Sequence, residues 1–506
     1  MTSHTKKYSM NLNDLLNSYI TDDKFNDINI TGLSLDSRNI KNNDLFIAIK
    51  GETVNGIEFI NSAIEQGAAA VLWEADATID AIKLNWRKTS SDINVPIIAI
   101  ENLSQIVGEL ADQFFDSPSK QISVCGITGT NGKTSCADFI AQMMSIDEPC
   151  GLIGTLGSGL YPNLTETGFT TPDAITCHQW LANIKSNKAK FAVMEVSSHA
   201  LIQGRVNGIY FNSAVFTNLS RDHLDFHGDM ESYTEAKTKL FKFAGLQSAI
   251  INVDDEAGRS IVNELTSNVH CIRYGLDEKF NPDVYGSGIK LDQNGLSMRV
   301  SSPWGEGKII SPVIGDFNAS NLLAVLSVIS LQGIEFSEAL KRLTTIKSVA
   351  GRMQRFGGDN NPLVIVDFAH TPDALEQALT SLRQHTQHNL WCVFGCGGDR
   401  DKGKRPLMGA IADNKADYIV LTNDNPRSEV AEKIIEDIKS GIKNINNVTI
   451  EQDRQTAIHF AISQAKIGDV VLIAGKGHEN YQLIGDVKFP FNDAEEVKQQ
   501  LEACAG

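Results

Sequence analysis

The sequence predicts an α/β protein in three domains: a small N-terminal α/β domain, a central domain with a mostly parallel sheet, and a Rossmann-like α/β domain at the C-terminal end. Three observations carry this. The chain has 506 residues, long enough for about three domains of ordinary size. Short apolar, β-branched runs recur along it between stretches of helical periodicity, and such alternation gives parallel sheets. One glycine-rich stretch, residues 126–134, lies between an apolar run (122–125) and a helical pattern (135–144). In that context backbone N–H groups and a helix N-terminus cradle phosphate.

Composition sets outer limits. At 42% hydrophobic and 21% charged the chain reads as an ordinary globular protein. A net charge of −17 argues against a general nucleic-acid or anionic-membrane binder, but leaves anionic small substrates to local Arg and Lys groups. The opening MTSHTKKYSM has no apolar segment after its basic pair, so no signal peptide is expected. No apolar run approaches the roughly 18 residues of a membrane span. The eight cysteines show no metal-type pairing. The closest two, Cys392 and Cys396, begin inside an apolar run, which favours buried, reduced thiols and a cytoplasmic setting.

Residues 1–103 read as the small α/β domain. Residues 33–38 lead into a polar turn, 44–51 read as a strand closing on glycine, 57–70 have helical spacing, and 70–73 form a short apolar run. Nothing there is catalytic by itself.

Residues 104–346 form the central domain. An amphipathic helix over 104–115 leads into Gly129-Thr130-Asn131-Gly132-Lys133-Thr134. Lys133 would reach the terminal phosphates and the Thr134 hydroxyl would bind Mg²⁺. The loop departs from the usual P-loop, which has glycine where this chain has Ile127; the glycines fall at Gly126 and Gly129 instead. Apolar runs follow at 191–196, 213–216 and 249–253. Glu195 ends the first, where a carboxylate could hold Mg²⁺ across from Thr134. His223 sits among acidic residues in 218–225. Close carboxylates would favour its protonation, whereas a metal ligand would be neutral; the sequence leaves both open.

Residues 347–506 form the third domain. Strand-like runs at 362–366, 390–394, 418–421 and 470–473 each enter a polar loop: 367–370, 395–400, 424–427 and 475–479. In open α/β sheets ligands bind outside the carboxyl ends of the strands, so the four loops would share one rim. Thr371-Pro372-Asp373 reads as a helix start with proline at its first position. Asn414-Lys415-Ala416-Asp417 spells a guanine-reading pattern, but it precedes its strand and lies outside the phosphate-loop domain, so it is set aside.

Taken together, Gly129 to Thr134, Glu195-Val196-Ser197-Ser198-His199, Asp222-His223-Leu224-Asp225, Gly315-Asp316-Phe317-Asn318 and the C-terminal loops resemble the ATP-dependent Mur ligases of peptidoglycan synthesis, from about Leu33 to Gln482. Within that family the likeness is to the branch that adds the third stem-peptide residue to UDP-N-acetylmuramoyl-L-alanyl-D-glutamate. The resemblance implies a UDP-binding N-terminal domain, a central P-loop ATPase and a C-terminal domain that closes over the amino-acid substrate; keeping water off an acyl phosphate predicts such a closure, with a hinge near residues 350–352. It implies that Leu35, Ser37, Glu52, Thr53 and Val54 line the UDP-sugar site and that Thr170, Thr171, Ser197, Gln203 and Arg205 contact the rest of that substrate. Lys237 matches a lysine that the family carries as a CO₂-derived carbamate, joining Glu195 and His223 around Mg²⁺. Lys133, Lys237 and His223 are thereby the implied catalytic residues.

The tetrad Asp424-Asn425-Pro426-Arg427 matches enzymes that take meso-diaminopimelate rather than L-lysine. A guanidinium fork gives the extra carboxylate of diaminopimelate a bidentate partner. Arg400, Gly475 and Glu479 match further contacts to this substrate, and Asn318, His370 and Asp373 match contacts to ATP. Two departures are Phe368, where the family has Tyr, and Asn55-Gly56 in place of Asp-Gly; the second bears on the UDP pocket. A monomer is expected. Rival readings are an L-lysine-adding sibling, opposed by Arg427; a folylpolyglutamate-type synthetase, opposed by residues 35–38; and a nucleotide-switched binding protein.

Overall fold

The computed structural model describes residues 7–51, 54–75, 84–89, 93–358 and 360–505. Packing divides the chain into two compact units, residues 1–274 and 275–506.

Two sheets dominate the described residues of the first unit, beside a two-stranded pairing of Met10–Asn11 with Asn29–Ile30. The N-terminal one orders Gly32–Ser34, Asp44–Ala48, Ala70–Ala75, Asn94–Glu101 and Leu84–Lys88, parallel except for the last strand. Asp44–Ala48 is buried at every position because both its faces are covered. Leu45 and Ile47 pack with Leu103, Val107 and Leu110 of the helix Leu103–Phe114. Phe46 and Ala48 pack with Ile60, Ala63 and Ile64 of the helix Ile60–Glu65. That helix is shorter than the spacing over 57–70 predicts: a 3₁₀ turn takes Gly56–Phe59, and the chain turns at Gly67 with φ +108°, a conformation that suits glycine after a helix end.

The larger sheet places Phe191–Glu195, Ser123–Thr128 and Ser213–Phe216 side by side. Cys150–Gly154 lies beyond the first, and Ser248–Asn252 and His270–Gly275 beyond the third, all parallel. Gly157–Leu160 and Asn163–Thr165 add antiparallel strands at one edge. Ile127 pairs with Glu195 on one side, and Thr128 with Phe216 on the other. Three strands therefore deliver their carboxyl ends to the same place, at the phosphate loop.

In the second unit an antiparallel meander, Val284–Asp292, Gly295–Ser302 and Gly305–Ser311, packs against the almost wholly buried helix Asn318–Leu331. The second sheet orders Gln354–Gly357, Leu363–Asp367, Val470–Ala474, Leu390–Phe394, Tyr418–Leu421 and Val448–Ile450, parallel apart from the first. Helices cover both faces. Pro372–His385, Lys404–Lys415 and Ala431–Lys439 lie on Leu363, Ile365, Leu390 and Leu472. Arg454–Gln464 and Asp493–Ala505 lie on Val364, Val366, Val393 and Val471. This is the doubly wound arrangement. Thr371 caps its helix by accepting from Ala374 N–H, with Pro372 at the first position. Cys392 and Cys396 are buried free thiols. Among the described residues no helix is long and apolar enough to cross a membrane.

Candidate active site

The phosphate loop is shaped by two glycines and pinned by the neighbouring strand. Gly129 has φ +150°, and a Cβ there would collide with Thr217 Oγ1; Gly132, at φ +85°, opens the helix Lys133–Met144. The segment after Ser213–Phe216 holds the loop down. Asn218 accepts Thr130 N–H on its carbonyl (2.8 Å) and Asn131 N–H on its side chain (2.9 Å), while Thr217 Oγ1 donates to Asn131 O (2.6 Å). The Lys133 ammonium donates to Gly129 O and Thr130 O, both at 2.9 Å, curled over the loop it would share with a phosphate chain.

Thr134 and Glu195 meet as anticipated. The Thr134 hydroxyl donates to Glu195 Oε2 at 2.8 Å. Thr155, which sequence reading missed, donates its N–H to Oε1 (2.7 Å) and its hydroxyl to Oε2 (3.3 Å). Burial raises the Glu195 carboxyl pKa, against the Thr155 N–H, the nearby Lys133 charge and the two hydroxyls. Among the described residues no group of three His, Cys, Asp or Glu side chains forms a metal cage. A hydroxyl and a buried carboxylate side by side are hard oxygen donors, and Mg²⁺ typically takes one or two such ligands with waters and phosphates completing its shell. The residues present fit that ion.

Lys237 is buried, 2% exposed, and donates to Gly129 O at 2.8 Å with its ammonium 4.5 Å from the centre of the Tyr233 ring. Burial, then the Lys133 charge, hold its pKa down to about 6, with Asp222 opposing. A largely neutral amine at neutral pH is a nucleophile. His223 sits at φ +52°, half-exposed, with Nε2 3.5 Å from Asp222 Oδ2 and its ring 4.9 Å from that of His199. Its contacts are with Asp222, His199 and Tyr233, not with Glu195. Tyr233, also missed, ties this group to the loop through a 3.2 Å hydroxyl contact with Thr130.

A cavity of about 820 Å³ opens beside this centre, lined by Leu35, Lys50, Phe169, Gln203, Arg205 and Phe226 among others. Of the residues implied for the UDP substrate, Leu35, Gln203 and Arg205 line it. Ser37 is buried in a 3₁₀ turn and Val54 is exposed; neither lines it. Glu52 and Thr53 lie outside the described residues. Thr170, Thr171 and Ser197 instead connect cavity to centre. Thr170 Oγ1 lies 3.0 Å from Thr155 Oγ1, Thr171 Oγ1 donates to Glu195 O (2.9 Å) and accepts Ser197 N–H (3.0 Å), and Arg205 donates to Thr171 O (3.0 Å).

In the second unit, Asp424 and Asn425 are buried beside the Gly475 turn. A Cβ on Gly475, at φ +118°, would press on the Asp424 carboxylate. Asn425 Nδ2 donates to Glu479 Oε2 (2.9 Å), and Lys476, unmarked in the sequence reading, donates to the same oxygen (2.9 Å) and to Asn425 Oδ1 (3.1 Å). Arg427 adopts φ +51°. Its Nη1 donates to Gly398 O (2.7 Å), and its backbone pairs with Leu483 and Gly485. Arg400 is exposed, with one long contact to Asp399 O (3.4 Å). Asn318 is buried, and its amide donates to Ile314 O (2.7 Å). His370 Nδ1 lies 2.8 Å from Phe368 O, and Asp373 is exposed in the first turn of its helix. The rim loops thus converge as anticipated, with Asp424, Asn425 and Glu479 in one network.

Three family models match the chain: the Mur ligase family, catalytic domain, over residues 29–115; the Mur ligase middle domain over 127–329; and the Mur ligase, glutamate ligase domain, over 351–477. A protein of Coxiella burnetii named UDP-N-acetylmuramoyl-L-alanyl-D-glutamate--2,6-diaminopimelate ligase is 48% identical over 98% of this chain and 99% of its own. One of the same name from Pseudomonas aeruginosa is 44% identical over 94% and 96%. A solved structure bearing that name superposes with a TM-score of 0.76 at 35% identity, covering 98% of this chain and all of that one. The MurF ligase of Thermotoga maritima in complex with ADP shares the fold, with a TM-score of 0.59 at 18% identity over 93% and 97% of the two chains.

Proposed function

Because this chain belongs to the Mur ligase family, we propose that it is the ATP-dependent ligase that joins meso-2,6-diaminopimelate to the D-glutamyl γ-carboxylate of UDP-N-acetylmuramoyl-L-alanyl-D-glutamate, in peptidoglycan precursor synthesis. The observation that carries the reading is its match, nearly end to end, to relatives named for that reaction. The grouping of Lys133, Thr134, Glu195 and Lys237 on one phosphate loop supports it.

The γ-carboxylate attacks the γ-phosphorus of ATP, giving an acyl phosphate and ADP. The amine of diaminopimelate then attacks the acyl carbon, losing a proton as the amide forms and phosphate leaves. Lys133 offsets charge on the transferred phosphoryl group. Thr134 and Glu195 would hold Mg²⁺, which when bound supplies further charge neutralisation. The neutral Lys237 amine adds to CO₂ with loss of a proton, giving a carbamate that supplies anionic oxygens beside the loop.

The 820 Å³ cavity is of the size that holds a ligand. We assign it to the UDP substrate, with Arg205 toward the anionic part and Thr170, Thr171 and Ser197 relaying its position to Glu195. Asp424, Asn425, Arg427, Arg400, Gly475 and Glu479 form the diaminopimelate rim, Arg427 facing the extra carboxylate. We assign Asn318, His370 and Asp373 as contacts to ATP. We divide the chain at 1–103, 104–346 and 347–506, and place it in the cytoplasm as a monomer.

The deciding measurement is phosphate release from ATP with Mg²⁺ and the UDP-muramoyl dipeptide, adding meso-diaminopimelate or L-lysine. Release that requires the dipeptide and diaminopimelate is the expected result. Release with lysine alone overturns the substrate assignment, and release indifferent to both overturns the ligase reading.

A further inference from the structure

The helix Pro372–His385 ends on a buried histidine whose two ring nitrogens are both engaged by backbone. His385 Nδ1 lies 2.7 Å from the carbonyl oxygen of Asp292, which can only accept, so Nδ1 carries the proton. The Gly315 N–H then donates to the bare Nε2 at 3.0 Å. The same helix also grips Asp316, whose two carboxylate oxygens accept from Ser381 Oγ and Gln384 Nε2, each at 3.3 Å. Three side chains of one helix thus hold the turn that runs from Gly315, at φ +102°, into the helix Asn318–Leu331.

We infer that His385 is a positioning residue: its neutral form fixes the turn carrying Asn318 to the helix that begins at Pro372 and Asp373, and protonation releases that turn. The inference rests on the ligase reading, in which Asn318 and Asp373 are both assigned to ATP, so one helix sets the spacing of the two assigned residues. An imidazolium has no acceptor. Its Nε2–H would point at the Gly315 N–H, donor against donor, on a side chain only 1% exposed. The groups around the ring divide. The Asp292 carbonyl and the Asp292 and Asp316 carboxylates favour a second proton, while burial and the Arg355 guanidinium oppose it. Burial is the largest effect and lowers the imidazole pKa. Because the folded value lies below the unfolded one, the stabilisation from neutral His385 is complete above the ordinary imidazole range and lost as pH falls through it toward the folded value.

His385→Gln tests this, since the Gln side chain can offer Gly315 an acceptor that acid does not remove. In the wild type, KM for ATP should rise about tenfold once pH falls below the ordinary imidazole range toward the lowered folded value, the scale of one lost buried hydrogen bond, with a smaller change in kcat. In His385→Gln it should stay flat. Nitrogen-15 spectra of the histidine rings in the full chain should show Nε2 of His385 unprotonated at neutral pH. An acid limb equal in both proteins, or a protonated Nε2, overturns the inference. Should His385→Gln not fold, Ser381→Ala with Gln384→Ala should raise KM for ATP at every pH, and an unchanged KM counts against the latch. A chain that never uses ATP would defeat the ligase reading alone; the ring spectrum would still decide the latch.

Discussion

The Lys237 amine donates to the Gly129 carbonyl at 2.8 Å, so a buried lysine with a strongly lowered pKa rests on a glycine of the phosphate loop. Its folded pKa of about 6 lies far below the ordinary lysine value, so the folded state binds fewer protons than the unfolded one between these values. Unmodified Lys237 therefore costs stability that is regained as pH rises. CO₂ should relieve this cost near neutrality. Enzyme freed of CO₂ at mildly acid pH should lose activity and regain it with bicarbonate, and intact mass should show one added CO₂. Lys237→Ala should be inactive, with no recovery in bicarbonate. Activity independent of CO₂ would dismiss the carbamate.

Glu195 poses the opposite problem, a buried carboxylate whose pKa is raised. Folding favours its protonated form, so the charge costs stability once pH exceeds the unfolded value. Glu195→Gln removes that charge while its amide oxygen can still accept the Thr155 N–H and its NH2 can donate to the Thr134 and Thr155 hydroxyls. The variant should melt at or above the wild-type temperature without nucleotide, yet lose about two orders of magnitude in kcat, or about 2.7 kcal/mol of barrier. Calorimetry and phosphate release measure the two halves. A variant both less stable and fully active would remove Glu195 from the metal site.

Arg427 sets the third expectation. One Nη is held by Gly398 O, which fixes the plane of the guanidinium while the rest of the fork stays available to a carboxylate. Lysine cannot reproduce both bonds. Arg427→Lys should raise KM for meso-diaminopimelate about 10- to 100-fold, the scale of a lost charged hydrogen bond, and leave KM for ATP unchanged. An unchanged preference over L-lysine would place the discrimination elsewhere.

How far the sequence foretold these sites follows from which interactions are local. The phosphate loop was legible because its glycines, lysine and threonine are consecutive and framed by a strand and a helix. Glu195 was legible because it ends a strand, and strand ends in a parallel sheet share an edge. Thr155 was not, since its bonds to Glu195 span forty positions and nothing around it departs from an ordinary turn. Lys476 stood in a motif, but only the fold shows its ammonium buried against Asn425 and Glu479. The helix over 57–70 was overextended because apolar spacing continues through Gly67, where the backbone does not.

The last expectation concerns what holds the loops assigned to diaminopimelate. Arg454 and Asp493, both fully buried, form a two-pronged pair with Nε–Oδ1 and Nη2–Oδ2 each 2.7 Å. The guanidinium also donates to Ala474 O (3.0 Å) and Asn423 O (3.4 Å), the residues immediately before Gly475 and Asp424. One buried cation thus ties together the two loops to which the substrate rim is assigned. Removing one member leaves the other charged and unpaired in the interior, at a cost of about 3–5 kcal/mol. Asp493→Ala should show that loss in urea unfolding, and it should also raise KM for diaminopimelate, because the freed guanidinium no longer fixes both loops. The double replacement Arg454→Met with Asp493→Leu leaves no orphaned charge and should recover much of the stability. It should not recover the KM, since methionine donates to neither carbonyl. Recovery of both by the double variant would mean that the pair stabilises the fold without shaping the rim.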